Sequence, residues 1–329
     1  MHHTSPEISL APLRGLTDAV FRNSYTSCFQ GLDRAFSPFL STTQGDKIKT
    51  THFRDVLPEN NTGLPLVPQV MGNTAGAFVV LAERLFELEY DHINLNLGCP
   101  YPKVAKKKRG SGLLPHPNLL ADFLSEVMEH LPPGSLSIKM RLGYFDGDEI
   151  FKVLPILNQY RLRELIIHPR IGTQMYAGNP DLDRFEKCLG ILRHPVVYNG
   201  DIRTREDFER LQKRFPVVKS WMIGRGVISD PFLPARIKGL AWDVIDAIDR
   251  LKAFHDNLFS AYAKRLSGGS HLISRMKGFW SYFAGAFREG ASFLKSVQKV
   301  RSEVQYQGVV TRFFSIAEYD PDGSGSKTN

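Results

Sequence analysis

Short apolar segments alternate with amphipathic segments along the first two thirds of the chain. The apolar segments are rich in β-branched residues, as buried strands are. The segments between them repeat their apolar positions every three to four residues, as helices do. We predict strands at residues 8–12, 34–39, 66–70, 92–96, 136–140, 164–168, 196–199 and 220–223. Helical patterns lie between several of them, at residues 75–89, 118–130, 181–192 and 205–214.

Eight strands that alternate with helices over about 230 residues have the size of a (β/α)8 TIM barrel. A doubly wound open sheet is the alternative, but it would not require eight strands of such even spacing. After Gly226 only helical periodicity follows, at residues 244–266, 271–287 and 291–304. We therefore predict an α/β fold, with a TIM-barrel catalytic domain over residues 1–239 and a small all-α domain over residues 240–317. The Gly/Ser/Asp-rich tail, residues 318–329, is predicted to be disordered.

Composition adds a cellular setting to this picture. The chain has 329 residues, and its 42% apolar content is enough to form a substantial core. No apolar run reaches the length of a membrane span, and residues 1–7 lack the apolar centre of a signal peptide. The three cysteines, Cys28, Cys99 and Cys188, are widely spaced and odd in number. This favours a reducing, cytoplasmic location over a disulfide framework.

The positive charge is concentrated in the predicted helical domain. The whole chain carries a formal charge of +8, and residues 250–317 contain eleven basic residues against three acidic ones. The rest of the chain is therefore balanced. A polyanion such as a nucleic acid is the natural partner of such a region. A surface that only keeps the protein soluble is the alternative interpretation of charge alone.

Polar and glycine residues mark the ends of the predicted strands, where TIM barrels carry their functional groups. In chain order these residues are Pro12, Gln69, Asn96 with Cys99, Lys139 with Arg141, His168, Asn199, Gly200, Asp201, Gly224 and Arg225. Packing alone would not place a lysine, a histidine and three amides at these positions. The glycines after the seventh and eighth strands indicate a phosphate site, because they let backbone N–H groups approach the anion.

Cys99 differs from the other two cysteines in its setting. Gly98 and Pro100 predict a turn that exposes its thiol at the functional end of the barrel. A basic segment follows, which suits contact with a phosphodiester backbone. Its basic residues are Lys103, Lys106, Lys107, Lys108 and Arg109. A solvated charge run without a partner is the alternative.

The motifs taken together resemble the tRNA-dihydrouridine synthase family. Residues 10–22 are similar to the family's opening strand and helix, and residues 94–100, NLNLGCP, resemble its catalytic signature. Residues 138–143, 167–170 with Gln174 and Tyr176, 199–202 and 222–226 follow in the family's order. Residues 275–282, RMKGFWSY, resemble its C-terminal helical segment. The resemblance covers roughly residues 8–315.

This resemblance implies a bound FMN in the barrel domain and no metal. Pro12 and Leu13 would lie along the flavin ring, with Gln69, Lys139 and His168 at the polar edge of the ring. Arg14 would also bind the cofactor. Asn199, Gly200, Asp201, Gly224 and Arg225 would hold the phosphate, with Asp201 acting through its backbone N–H. The uracil or its phosphate would contact Asn96, Arg141, Arg170 and Tyr176. The RNA backbone would contact Lys103, Lys106, Lys107, Arg275 and Lys277.

The reaction that the resemblance implies is the reduction of particular uridines in tRNA, in the D-loop, to dihydrouridine. NADPH or NADH reduces FMN, whose N5 delivers hydride to uracil C6, and the neutral thiol of Cys99 protonates C5. The target base must leave its stack to reach the flavin. We expect a cytoplasmic monomer with tRNA as its partner.

Two other functions remain at this stage. An FMN-dependent TIM-barrel oxidoreductase of a small molecule, similar to dihydroorotate dehydrogenase or to an ene-reductase, would explain the flavin residues equally well. It would not explain the basic segment after Cys99 or the basic helical domain. A non-catalytic RNA-binding or chaperone protein on an inherited barrel is the second alternative. The retention of Cys99, Lys139 and His168 together argues against it.

Overall fold

A computed structural model describes residues 5–42, 50–241, 243 and 245–320. Residues 1–4 and the greater part of the predicted disordered tail, 321–329, lie outside the described residues. The chain forms a parallel sheet of ten strands. The strands are β1 (Glu7–Leu10), β2 (Arg34–Phe36), β3 (Leu40–Ser41), β4 (Leu66–Val67), β5 (Gln69–Met71), β6 (Ile93–Leu97), β7 (Leu136–Gly143), β8 (Leu165–Ile171), β9 (Val196–Asn199) and β10 (Ser220–Ile223).

Helices follow most of the strands. In the barrel they are α1 (Ala19–Cys28), α2 (Thr50–Phe53), α3 (Ala75–Glu87), α4 (Pro102–Ala105), α5 (Pro117–His130), α6 (Glu149–Leu157), α7 (Leu182–Ile191), α8 (Arg205–Arg214), α9 (Arg225–Ser229) and α10 (Leu233–Ile237). The C-terminal region contains α11 (Ala247–Arg265), α12 (Gly269–Phe283), α13 (Gly290–Lys299) and α14 (Glu303–Phe314). Short 3-10 helices occur at Pro58–Asn60, Gly110–Leu113 and Ala284–Ala286.

The sheet curls into a barrel, as predicted. β1 pairs with both β10 and β2, so the first and last strands of the barrel meet. The segment predicted as one strand at residues 66–70 is two strands separated by Pro68. β4 pairs with β2, and β5 pairs with β6, so this interrupted strand joins the two ends of the sheet. Proline lacks the N–H that an uninterrupted strand would donate at that point.

The inside of the barrel and its outer layer have separate apolar clusters. Ala11, Phe36, Val67, Ile166, Val197 and Met222 form a small cluster of their own. Their strand neighbours, such as Leu10 and Ile167, belong to the large cluster that includes the helices. Because successive strand residues face opposite sides of a sheet, the small cluster faces the barrel axis. It lies below the strand ends and supports them.

The C-terminal helices pack around Trp280 and dock on the barrel. The indole N–H of Trp280 donates to the Tyr306 hydroxyl at 2.8 Å, and His255 Nε2 lies 2.7 Å from the same oxygen. The Phe254 ring on α11 meets Phe21 on α1, with ring centroids 5.5 Å apart. The helical region and the outer barrel layer share one continuous apolar cluster. No helix among the described residues is long and apolar enough to cross a membrane.

The packed chain extends beyond the predicted boundary at residue 317. Arg288 N donates to Glu318 O at 3.0 Å, and Asp320 N donates to Ala286 O at 2.9 Å. The Tyr319 ring packs on Phe232, with centroids 5.2 Å apart. These contacts attach residues 318–320 to the fold, whereas the composition of the tail predicted disorder from residue 318. The aromatic ring of Tyr319 supplies the burial that the polar residues around it cannot.

Candidate active site

A cavity of about 550 Å³ opens at the C-terminal ends of the barrel strands. Most of the residues predicted from the strand ends line it. These are Pro12, Leu13, Arg14, Asn96, Cys99, Lys103, Lys139, Arg141, His168, Tyr176, Asn199, Gly200, Asp201, Gly224 and Arg225. Residues from six different strand ends thus meet in one place, because parallel strands bring their carboxyl ends to the same end of a barrel.

Cys99 is held in a tight turn after β6. The side-chain oxygen of Asn96 accepts hydrogen bonds from the backbone N–H groups of Gly98 and Cys99, at 3.0 and 2.8 Å. Gly110 packs against this turn with φ +57°, and a Cβ there would lie 2.7 Å from the Cys99 carbonyl oxygen. Only glycine fits so close an approach. The turn is therefore fixed from both sides.

The thiol of Cys99 is buried at the cavity wall, only 8% exposed, so the prediction of an exposed thiol is wrong. The packing of Gly110 and its neighbours covers the turn, which the Gly-Cys-Pro pattern could not indicate. Burial raises the pKa of Cys99 above its usual value. A hydrogen bond from the Tyr101 backbone and the charges of Arg14 and Arg141 oppose this shift without cancelling it. The thiol is therefore protonated at neutral pH and can act as an acid.

Gln69 was predicted at the flavin edge, but the structure places it beneath the cavity. It is fully buried and is absent from the cavity wall formed by the described residues. Its amide donates to Asn94 Oδ1 at 2.8 Å and accepts from Asn96 Nδ2 at 2.6 Å. Because Asn96 in turn holds the Cys99 turn, Gln69 acts on the site by orienting Asn96.

Lys139 and His168 present nitrogen groups to the cavity from β7 and β8. Among the described residues none forms a hydrogen bond or an ion pair with the Lys139 ammonium. Burial, followed by the charge of Arg141, lowers the pKa of Lys139 to about 7. Burial and the surrounding cations also lower the pKa of His168 well below its usual value, so the imidazole is neutral. An ammonium without a protein partner inside a cavity fits a ligand that carries carbonyl or anionic groups.

Gly200 and Gly224 provide an open recess at the ends of β9 and β10. A Cβ on Gly200 would lie 2.3 Å from the Tyr198 hydroxyl oxygen, and one on Gly224 would lie 3.1 Å from the Ala11 Cβ. A larger residue at position 200 would collide with Tyr198, and one at position 224 would extend toward Ala11 and Leu13 at the cavity wall. Arg225 reaches the same part of the cavity. Backbone N–H groups and a guanidinium beside empty space fit a phosphate group.

The carboxylate of Asp201 binds two arginines, whereas only its backbone N–H was predicted to take part in the site. Its carboxylate accepts from Arg170 at 2.8 and 2.6 Å and from Arg225 at 2.6 Å. Burial would raise the pKa of Asp201, but the hydrogen bonds and charge of Arg170 outweigh it and the pKa is lowered. The carboxylate therefore stays ionised and fixes the direction of the Arg225 guanidinium. Its side chain balances part of the positive charge around the cavity.

Arg170 was predicted to contact the substrate, but it is only 1% exposed and does not line the cavity among the described residues. Besides Asp201, its guanidinium donates to the carbonyl oxygens of Ala177 and Gly178, at 3.3 and 2.6 Å. A buried guanidinium requires such partners to offset its lost hydration. Arg170 therefore shapes the loop that carries Tyr176.

Arg141 and Tyr176 form one side of the cavity. The Arg141 guanidinium donates to the carbonyl oxygens of Gly98 and Ile171, at 3.2 and 2.7 Å. The Tyr176 ring lies 5.6 Å from the guanidinium carbon of Arg141 and 4.5 Å from that of Arg225. These cation–π contacts hold the ring between two fixed cations. The hydrogen bonds direct Arg141 toward the Cys99 turn.

The predicted RNA contacts of the helical region are engaged inside the protein. The Arg275 guanidinium donates to the carbonyl oxygen of Gly15, in the loop after β1. The Lys277 ammonium donates to the carbonyl oxygens of Gln298 at 2.9 Å and Val300 at 2.5 Å, at the end of α13. All three hydrogen bonds brace the fold, and neither residue lines the cavity among the described residues. Lys106 and Lys107 are exposed on the loop after Cys99, outside the cavity wall.

Tyr101 and Tyr282 line the cavity and were missed by the sequence analysis. Tyr282 comes from α12, so the helical region contributes to the site. The motif at residues 275–282 contained a signal for it, because that segment resembles one in the related family. No pattern indicated Tyr101, since an aromatic residue in a loop more often packs on the surface beside it.

Comparison with known proteins decides the family. The family model described as dihydrouridine synthase matches residues 9–312. The chain belongs to the dihydrouridine synthase family. Membership confirms the resemblance seen in the motifs and makes the protein an oxidoreductase. The helical region falls inside the match, as it should if it is part of the same enzyme.

Relatives of known name cover most of the chain. It is 27% identical to the tRNA-dihydrouridine(16) synthase of Cupriavidus necator over 318 residues, 92% of this chain and 95% of that one. It is 31% identical to the tRNA-dihydrouridine(16) synthase of Neisseria meningitidis serogroup A over 238 residues, 70% of this chain and 71% of that one. A tRNA-dihydrouridine synthase B of Pasteurella multocida is 29% identical over 233 residues, 69% of this chain and 67% of that one.

Solved structures support the fold. Morphinone reductase in complex with tetrahydroNAD matches with a TM-score of 0.52 and 9% identity, covering 72% of this chain and 88% of that one. At such low identity the likeness shows the architecture alone. It confirms the predicted TIM barrel.

Proposed function

We propose that this protein is an FMN-dependent tRNA-dihydrouridine synthase, which reduces the C5=C6 bond of a particular uridine with NADPH or NADH as the reductant. One observation carries the proposal. A single cavity brings together the buried thiol of Cys99, the Lys139 ammonium and the glycine-lined recess beside Arg225. Family membership supports the reaction. The names of the relatives support position 16, in the D-loop, as the target.

The cavity suits a flavin along its whole length. Pro12 and Leu13 offer an apolar wall for the ring, and Lys139 and His168 face its polar edge. The recess of Gly200 and Gly224 would take the phosphate, next to the Asp201-fixed guanidinium of Arg225. A bound flavin would supply a hydride to C6 of uracil.

Cys99 supplies the proton that the reduced base requires at C5. Its raised pKa keeps the thiol protonated until the base arrives. The nearby charges of Arg14 and Arg141 then stabilise the thiolate that donation leaves behind. Asn96 holds the turn so that the thiol enters the cavity from one wall, and Tyr176 and Arg141 border the space left for the base.

The target uridine must leave its stack to reach a cavity at the barrel mouth. Lys103 lines the cavity, Lys106 and Lys107 are exposed on the same loop, and all three would contact the backbone phosphates. Further exposed lysines on α13, Lys295 and Lys299, would extend the contact along the helical region. We expect the protein to act as a monomer in the cytoplasm, where tRNA is modified.

A reaction of the purified protein with unmodified tRNA tests the proposal. The protein should be yellow, should release FMN on denaturation, and should convert one uridine to dihydrouridine when NADPH is added. Nuclease digestion and mass spectrometry would locate the product by its gain of two hydrogens. Failure of the flavin-loaded protein to form dihydrouridine would reject the proposal. Efficient reduction of activated alkenes without tRNA would instead favour a small-molecule oxidoreductase.

A further inference from the structure

Tyr101 is an exposed aromatic residue beside the proposed acid. Its side chain is 63% exposed and still lines the cavity. It follows Cys99 by two positions in the chain, so the two residues lie close together. Two residues of chain span at most about 7 Å. The ring therefore stands beside the base that Cys99 would protonate, at the mouth of the cavity.

The backbone under the ring is rigid. Pro100 and Pro102 flank Tyr101, and each proline fixes its own φ angle. The Tyr101 carbonyl oxygen accepts from the N–H groups of Val104 and Ala105 at 2.8 and 2.9 Å, at the start of α4. A ring on such a base loses little conformational entropy when a ligand stacks on it. Stacking of a ligand on the exposed face of the ring therefore loses little conformational entropy.

Several exposed lysines follow Tyr101 in the chain. Lys103, Lys106, Lys107 and Lys108 are all exposed within the next seven residues of the chain. The loop that carries them is anchored, because Asn73 Nδ2 donates to the Lys107 carbonyl oxygen at 3.0 Å. An aromatic ring in the same loop as several exposed lysines matches the chemistry of an unstacked nucleotide, which has a flat base and an anionic backbone.

We propose that Tyr101 stacks on the nucleobase adjacent to the target uridine, an inference that rests on the proposed function. When the uridine leaves its stack, its neighbour loses a stacking partner, and the Tyr101 ring replaces it. The ring thereby holds the RNA in the opened conformation while the target base occupies the cavity. Because every base has a π-face, the contact tolerates different neighbours.

The test compares three variants of the flavin-loaded protein with the wild type. Tyr101→Ala should raise the KM for tRNA roughly 5- to 150-fold, the range expected for one lost base–aromatic stack. Tyr101→Phe keeps the ring face and should keep the wild-type KM. Phe145→Ala removes a ring that is 67% exposed but does not line the cavity among the described residues, and it should leave the KM unchanged. NADPH-driven flavin reduction without tRNA should be the same in all four proteins.

A fluorescent readout reports stacking directly. With 2-aminopurine placed next to the target uridine, wild type and Tyr101→Phe should quench its emission, and Tyr101→Ala should not. A wild-type KM and undiminished quenching in Tyr101→Ala would overturn the inference. Slower flavin reduction in Tyr101→Ala without tRNA would also overturn it, because the ring would then serve the nicotinamide. Absence of dihydrouridine with the wild type would reject the proposed function itself, a result distinct from both.

Discussion

Arg275, on α12, donates a hydrogen bond to the backbone carbonyl oxygen of Gly15, in the loop between β1 and α1. Gly15 has φ +78°, a conformation that glycine adopts without strain. Leu13 and Arg14, in the same loop, line the cavity. The Arg275 guanidinium also lies 3.8 Å from the Asp18 carboxylate at the start of α1. The helical region therefore braces the loop proposed to lie along the flavin.

Removal of this brace should weaken flavin binding. Arg275→Ala should raise the flavin dissociation constant roughly 2- to 12-fold, the effect of one lost hydrogen bond. Fluorescence titration of the flavin-free protein would measure it. Lys299→Ala, which removes an exposed cation from the same region, is the matched control and should bind flavin normally. Equal affinities in both variants would show that the loop holds its shape without Arg275.

Exposed and internally bonded lysines of the helical region should behave differently toward tRNA. Lys295 and Lys299 are exposed, so replacing both by alanine should weaken tRNA binding and reduce the slope of log K against log salt by up to about one unit for each phosphate contact. Lys277→Ala should leave that slope unchanged and lower the free energy of unfolding by about 0.5–1.5 kcal/mol, because its ammonium binds backbone carbonyls. Measurements of tRNA binding at several salt concentrations, and of unfolding in urea, distinguish the Lys295/Lys299 variant from Lys277→Ala. An unchanged slope in the Lys295/Lys299 variant would place the RNA contact elsewhere, with the loop after Cys99 as the leading candidate.

The residues at the strand ends could be predicted from the sequence, because the closed barrel fixes where the end of each strand lies. Apolar β-branched segments identify the strands, and the closed parallel sheet brings the residues after them together. Cys99, Lys139 and His168 therefore met in one cavity as expected. Pro68 divides one predicted strand, and the Gln69 side chain binds Asn94 and Asn96 below the cavity, which the position of Gln69 after a strand could not indicate.

The hydrogen-bond partners of the charged side chains could not be predicted, because these partners are distant in the sequence. Arg141 and Arg170 both follow a predicted strand and look equivalent in the sequence, yet of the two only Arg141 lines the cavity. Asp201, 31 residues after Arg170, is the partner that holds the second arginine inside the protein. In the same way the charge of Lys277 predicted a surface contact, while the carbonyl groups that it binds only become its neighbours after folding.

The pKa of Lys139 predicts a pH-dependent affinity for flavin. The group is buried, and its pKa in the flavin-free protein is about 7. If the ammonium form binds the polar edge of the flavin, binding must be accompanied by proton uptake once the pH exceeds 7. The dissociation constant should then be roughly tenfold higher at pH 8 than at pH 6, since each pH unit above the pKa removes about tenfold of the protonated form. Lys139→Arg keeps its charge and should abolish this dependence, and a pH-independent wild type would contradict the assignment.

Cys99 should be required for protonation of uracil and for nothing earlier. Burial raises its pKa, so the acid form persists throughout the neutral range, and dihydrouridine formation should decline only at alkaline pH. Cys99→Ala should bind flavin and oxidise NADPH normally, because the thiol acts after the flavin is reduced. Its rate of dihydrouridine formation should fall about 10²- to 10⁴-fold, the usual contribution of a general acid. A single-turnover experiment, in which flavin is first reduced and tRNA is then added, isolates this step from NADPH oxidation. Wild-type rates in Cys99→Ala would mean that the proton comes from another group at the cavity, and Tyr176 would be the first to replace by phenylalanine.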